Sequence, residues 1–145
     1  MLAIIVEALE RNPEQDFLGE MYMQLNLGNH WKGQFFTPYC VCKMMSEITC
    51  EDVDSHIEKQ GYLSICDPAC GAGATLIAAA NTMKKCKHNF QNHVVFVAQD
   101  IDRITGMMCY IQLSLLGCAG YVCIANTITN PLTCLLYTSP SPRDA

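Results

Sequence analysis

An apolar run ends in an acid, a loop of small residues follows, and an alanine-rich helix begins: Ile65-Cys66-Asp67-Pro68-Ala69-Cys70-Gly71-Ala72-Gly73-Ala74-Thr75-Leu76. A strand, a tight turn and a helix N-terminus in that order hold a nucleotide-like ligand at the end of a parallel sheet. Gly71 and Gly73 free the backbone to turn and leave no side chain in a ligand's way. Asp67 stands where the strand opens into the loop, placed to accept hydrogen bonds from a ligand amine or hydroxyl. A second strand-like run, Val94 to Ala98, ends in Gln99-Asp100-Ile101-Asp102. An acid at that strand end, after a glycine loop on the preceding strand, is positioned to take both hydroxyls of a ribose. Asp102 is well placed to cap the helix that follows. Asp100 is therefore the better ribose candidate.

The loop spacing differs from the six-position dinucleotide fingerprint and lacks the Gly-Lys-Ser/Thr end of a phosphate loop. A bare Gly-x-Gly turn also serves purely structural ends, so the neighbouring stretches matter. Trp31-Lys32-Gly33-Gln34-Phe35-Phe36-Thr37-Pro38 puts two aromatics in a loop just before a helix. Thr37 can cap that helix and Pro38 can occupy its first turn. Val41, Met44, Met45 and Ile48 give it an apolar face. On this chemistry alone, Phe35 and Phe36 are buried anchors of a capped helix.

The elements that must position these residues follow from periodicity and punctuation. Residues 2–9 suit a short helix. Asn12 reads as an N-cap, with Pro13 at the first helical position and Glu14 in the first turn of a helix over 13–26. That helix presents Phe17, Leu18, Met21 and Leu25 on one face, and Gly28 is a natural stop. Residues 51–61 are polar and read as a solvated connection or a helical turn. A strand over 62–66 is expected to be buried on both faces by its apolar continuity. A helix over 75–85, close to the sheet through Ala78, Ala79 and Ala80, leads to a second buried strand over 94–98. Strand, helix and strand in that order predict a parallel pair with a right-handed crossover. A helix over 103–116 carries a broad apolar face from Ile104 to Leu115, Gly117 stops it, and a third strand covers 121–125.

Composition bounds the function. The chain has 145 residues, enough for one modest domain with a core. It is 50% hydrophobic and 16% charged, which is not a disordered composition. No apolar run is long enough to span a membrane and the start lacks the features of a secretory signal, so a cytoplasmic protein is expected. Ten cysteines lie mostly inside apolar segments and read as reduced thiols used as small hydrophobes. Cys40-x-Cys42 and Cys66-x-x-x-Cys70 lack the paired spacing of a zinc site, so no metal is expected. The formal net charge of −5 argues against this segment alone gripping DNA phosphates. Its one basic run, Met83-Lys84-Lys85-Cys86-Lys87-His88, reads as the favourable cationic end of a helix.

Asp67-Pro68-Ala69-Cys70-Gly71-Ala72-Gly73 resembles the first motif of the S-adenosylmethionine-dependent N6-adenine (amino) DNA methyltransferases. Gly33-Gln34-Phe35-Phe36-Thr37-Pro38 is similar to that family's upstream motif, which closes over the methionine part of the cofactor. Asp100 matches the family's acid at the second strand end, with Ile101 beside it. Asn126 falls where many relatives carry an acid that meets the cofactor's adenine amino group, and its side-chain carbonyl can still accept there. The resemblance thus implies cofactor contacts from Phe36, Thr37 and Pro38, from Asp67, Pro68, Ala69, Cys70, Gly71 and Gly73, and from Asp100, Ile101 and Asn126.

It also implies an α/β, Rossmann-like methyltransferase fold, incomplete with about three parallel strands and preceded by N-terminal helices, as in the methylation subunit of type I restriction–modification systems. The implied reaction transfers methyl from S-adenosylmethionine to adenine N6 in DNA. The implied partners are DNA, held through parts outside this chain, and specificity and restriction subunits. Two other readings stay open: a methyltransferase acting on RNA or protein, and a non-catalytic module binding S-adenosylmethionine or a nucleotide.

The expected organisation is a helical segment over 1–32, the cofactor-binding part of the methyltransferase domain over 33–133, and a tail over 134–145. The tail is Pro/Ser-rich, shows no element of its own and resembles an in-frame translation of a transposase sequencing adapter, so it is expected to be non-native. Family members need a catalytic Asn/Asp-Pro-Pro-Tyr/Phe motif after a fourth strand, where it grips a flipped adenine. Asn130-Pro131-Leu132 begins like it, but Leu132 stands in place of the second proline. No strand separates it from Asn126 either, so it reads as a turn. No catalytic residue is expected in this chain.

Overall fold

The computed structural model describes residues 2–25, 35–49 and 53–130. In chain order the elements are α1 (Leu2–Arg11), α2 (Phe17–Gln24), α3 (Tyr39–Thr49), α4 (Val53–Gln60) and β1 (Leu63–Asp67). After them come α5 (Ala74–Lys85), α6 (Phe90–His93), β2 (Val94–Asp100), α7 (Arg103–Leu115) and β3 (Gly120–Ile124). The three strands form one parallel sheet in the order β1-β2-β3. Leu63 pairs with Val94 and Asp67 with Ala98, while Phe96 pairs with Gly120 and Asp100 with Ile124. The carboxyl ends of β1 and β2 therefore lie side by side, which brings Asp67 and Asp100 to the same end of the sheet.

The central strand carries the core. Val94, Phe96, Val97, Ala98 and Gln99 are buried. Leu76, Ile77, Ala80 and Met83 of α5 pack with Phe96 and Ala98, and Cys109 and Leu113 of α7 join the same cluster. β1 departs from expectation: it is half-buried rather than buried on both faces, and Cys66 is exposed. It pairs with β2 alone among the described strands, so its outer edge lacks a neighbour. The polar stretch expected to be a connection or a helical turn forms the eight-residue helix α4. Val53 is buried in the core cluster and Ile57 packs against it, which fixes a helix that composition alone does not announce. The four-residue α6, capped by Asn89 on the Gln91 amide at 3.1 Å, was not expected either.

The N-terminal helices lie on α7. Ile5, Leu9 and Leu18 form a second cluster against Met108 and Ile111. Helix α2 starts four residues later than its pattern suggests. Asn12 does not cap it: the Asn12 amide closes α1 on the Ala8 carbonyl, and its side chain takes the Glu14 amide in a local turn. Asp16 is the cap and accepts from the Gly19 amide at 2.9 Å. Residues 13–14 are pulled out of the helix by other partners. Asn81 donates to the Pro13 carbonyl, and Lys43 and Lys85 both reach Glu14. Leu25, expected on the apolar face, is exposed, and the helix-stop assigned to Gly28 lies outside the described residues.

Helix α3 inverts its expected orientation. Val41, Met44, Met45 and Ile48 are exposed, and Cys42 and Ser46 are buried. Cys42 packs on Ala74 and Ala78 of α5 with Tyr39 beside it. Small side chains on both helices permit a close approach, so size rather than hydropathy selects the inward face. Among the described residues no helix is long and apolar enough to cross a membrane, and the eight described cysteines are all free thiols.

Candidate functional site

The loop between β1 and α5 is held by the ends of both strands. The Cys70 amide donates to the Gln99 carbonyl at 2.9 Å, and the Gly71 amide donates to Asp100 Oδ2 at 2.8 Å. Asp100 Oδ1 accepts from the Asp102 amide at 2.8 Å, while Asp102 caps α7 on the Ile104 and Thr105 amides. Asp67 works within its own loop: Oδ1 accepts from the Ala69 amide at 3.0 Å, and Oδ2 accepts from the Thr75 hydroxyl. Each carboxylate oxygen can accept a further bond, so these contacts orient both acids without using up their capacity.

The two glycines have distinct jobs. Gly71 has φ +54° and Gly73 has φ +100°, both left-handed. A Cβ on Gly73 would stand 2.9 Å from Cys109 Sγ, so Gly73 lets α5 start against α7. A Cβ on Gly71 would stand 3.3 Å from the Phe36 ring, so Gly71 admits that ring over the loop. Phe36 in turn stacks on Tyr22 of α2, with centroids 5.7 Å apart. The segment before α3 thus folds over the glycine loop. Thr37 contributes its carbonyl, toward Cys42 Sγ, and not the expected capping hydroxyl. The Pro38 carbonyl closes the first turn of α3, accepting from the Val41 and Cys42 amides. Gly33 and Gln34 lie outside the described residues.

Phe36, Thr37, Asp67, Ala69, Cys70 and Gly71 share one hollow of about 70 Å³. Pro68, Gly73, Asp100 and Ile101 do not line it: Asp100 reaches it only through its bond to the Gly71 amide, and Ile101 is 69% exposed. Pro38 and Asn126 are not among its lining residues. Asn126 sits in a turn after β3, where its Oδ1 accepts from the Ile128 amide at 2.9 Å and the Thr129 amide at 3.4 Å. The side-chain carbonyl expected to face a ligand is thus engaged locally. The same turn is tied to the loop by Thr127, whose hydroxyl donates to the Pro68 carbonyl, and to β2 by Gln99, which donates to the Asn130 carbonyl at 2.8 Å. Asn130 therefore belongs to a turn, as its spacing suggested. Pro131 and Leu132 lie outside the described residues. A larger hollow, about 330 Å³, lies between the end of α5 and α6 and contains none of the motif residues.

Sequence reasoning missed three residues here. Asp16 lines the hollow, Gln112 braces Asp16, and Tyr22 supports Phe36. Asp16 carries a legible N-cap signal that Asn12-Pro13 masked. Gln112 sits in mid-helix, where no local pattern marks it. Among the described residues the hollow's lining includes two carboxylates, Asp16 and Asp67, and no lysine, arginine or histidine. Burial is the main cause raising the Asp16 carboxyl above its ordinary range, opposed by hydrogen bonds from Gln112 and Gly19. Burial pushes the Cys42 thiol up to about 11, with Asp16 and Asp67 adding to it. A hydrogen bond with Cys109 and burial raise Cys70 as well. These thiols are not nucleophiles near neutral pH. The two carboxylates can accept hydrogen bonds from a polar ligand.

No curated protein matches the chain. The family model for N-6 DNA methylase matches residues 13–138, a span that includes α2, the Phe36 segment, the glycine loop, Asp100 and the turn at Asn126. The chain belongs to the N-6 DNA methylase family.

Proposed function

We propose that this chain is the cofactor-binding half of an adenine-specific DNA methyltransferase that uses S-adenosylmethionine. The observation that carries the reading is the convergence of Phe36, the glycine loop and Asp100 at the carboxyl end of the sheet, with Gly71 next to both partners. The residues fit the cofactor in two respects. A Cβ at Gly71 would crowd the Phe36 ring that covers the loop. Among the described residues the hollow also presents carboxylates without a basic side chain, which suits a ligand with a sulfonium and an ammonium. When bound, S-adenosylmethionine supplies an electrophilic methyl group. Asp100 would accept from the ribose hydroxyls, Phe36 and Thr37 would cover the methionine end, and Asp67 would hold the loop and accept from the ligand. The exposed Ile101 would lie against the adenine.

The grip on the target base is proposed to come from a segment outside these residues, because the sequence contains no Asn/Asp-Pro-Pro-aromatic motif. With a net charge of −5, DNA contact is proposed to come largely from other parts of the protein, within a cytoplasmic restriction–modification assembly that includes specificity and restriction subunits. Calorimetric titration of the chain with S-adenosylmethionine tests the core of this reading. Saturable binding, competed by S-adenosylhomocysteine and not by ATP, is expected, and the absence of any heat of binding would overturn it. The same chain, given labelled cofactor and unmethylated DNA, is expected to transfer no methyl group. Label appearing in DNA would place the catalytic motif within these residues.

A further inference from the structure

Asp16 is only 3% exposed, yet among the described residues no basic side chain faces it. Its Oδ1 accepts from the Gly19 amide at 2.9 Å and from Gln112 Nε2 at 2.7 Å, both neutral donors. Among the described residues no hydrogen bond reaches its Oδ2. A buried carboxylate in that condition is expensive unless a positive group joins it. The helix dipole of α2 offsets part of the cost, since Asp16 is its cap. What distinguishes Asp16 from an ordinary cap is its location and its bracing. It lines the same hollow as Asp67 and Gly71. Gln112, fully buried, ties it to that loop by donating also to the Ala72 carbonyl at 3.0 Å. The Gln112 oxygen accepts from the Leu18 amide at 3.1 Å, which fixes the carboxamide's orientation. Gly19 is kept small beside the carboxylate, because a Cβ there would fall 2.0 Å from Asp16 Oδ2.

We propose that Asp16 is a ligand-binding residue whose carboxylate receives the α-ammonium group of S-adenosylmethionine, with Gln112 as its positioning residue. The inference rests on the cofactor reading above and extends it to α2, which the sequence motifs do not include. The ligand's ammonium supplies the missing positive charge, and the Gln112 brace holds the acceptor at a fixed place relative to the glycine loop.

Two ligands separate this role from a structural one. S-adenosylhomocysteine carries the amino-acid end, and methylthioadenosine lacks it. In Asp16→Asn the amide oxygen still serves the Gly19 and Gln112 donors, so the cap and brace persist while the charge is lost. Binding of S-adenosylhomocysteine is expected to weaken by about tenfold or more, the loss of one charge-assisted hydrogen bond. Binding of methylthioadenosine is expected to be unchanged. Asp16→Ser, which retains a capping oxygen, provides a second variant with the same expected pattern. Equal losses for both ligands would show a purely structural role, and no loss for either would remove Asp16 from the site. If the unaltered chain binds neither ligand, the cofactor reading itself fails and this assignment falls with it.

Discussion

The Gly71 amide donates to Asp100 Oδ2 at 2.8 Å, joining two residues twenty-nine positions apart. One carboxylate thereby shapes the glycine loop and keeps acceptor capacity for the ribose proposed to bind there. Its other oxygen is oriented by the Asp102 amide, so its direction is fixed before any ligand arrives. Asp100→Ala should lose both functions. Affinity for S-adenosylmethionine is expected to fall by about 1–3 kcal/mol, the range for losing hydrogen bonds to a charged acceptor. Calorimetry on the variant measures this directly, and an unchanged dissociation constant would take Asp100 out of the ribose site.

Gly71→Val tests the loop's shape. The position has φ +54°, and a Cβ would already stand 3.3 Å from the Phe36 ring. A β-branched side chain is strained in that backbone region and would push Phe36 off the loop. Ligand binding should be abolished. Gly71→Ala should be milder, with a conformational cost of about 1–2 kcal/mol. A valine variant that saturates normally with S-adenosylmethionine would refute the packing of Phe36 over the loop.

The sheet and the loop were legible because their signals are local. Apolar runs ending at Asp67 and Asp100 mark strand ends, and Asp102 declares its capping role by spacing alone. Helix α3 was misread because its inward face is chosen by small size: Cys42 meets Ala74 and Ala78 and Ser46 is buried, which leaves Met44 and Met45 outside. The start of α2 was misread for a different reason. Asn12-Pro13 has every local mark of a helix start, but Pro13 and Glu14 are held by Asn81, Lys43 and Lys85, far along the chain. The Asp16–Gln112 contact spans ninety-six positions, and nothing in either residue's neighbourhood points to the other. Long-range polar partners are where a single sequence has least to say.

Gln112→Leu should expose how much that hub contributes to stability. Gln112 is fully buried and serves Leu18, Asp16 and Ala72 at once. Leucine matches its bulk but leaves the Leu18 amide and the Ala72 carbonyl without this partner. A loss on the order of 3 kcal/mol is expected, from two buried polar groups left unsatisfied. Urea unfolding measures it. A variant within experimental error of the parent would mean that these groups find other partners when Gln112 is removed.

Asp16 should leave a signature in the pH dependence of stability without any ligand. Burial is the first cause raising its carboxyl above the ordinary 3.8, and the Gln112 and Gly19 hydrogen bonds only partly oppose it. The folded chain therefore holds this proton more tightly than the unfolded chain. As pH rises from the ordinary value through the raised one, the unfolded state binds fewer protons than the folded state, and stability falls. The contribution is complete below the unfolded value and lost above the folded one. Asn at this position is neutral at every pH and shows no such loss. Asp16→Asn without ligand should therefore melt above the parent at pH 7, and the gap should close as pH drops below the ordinary carboxylate range. Thermal unfolding across that interval measures the effect. A parent that melts at or above the variant throughout would mean that the α2 dipole and the two donors fully offset the burial. A variant that is more stable when empty and weaker in binding would show stability given up for function at a binding carboxylate.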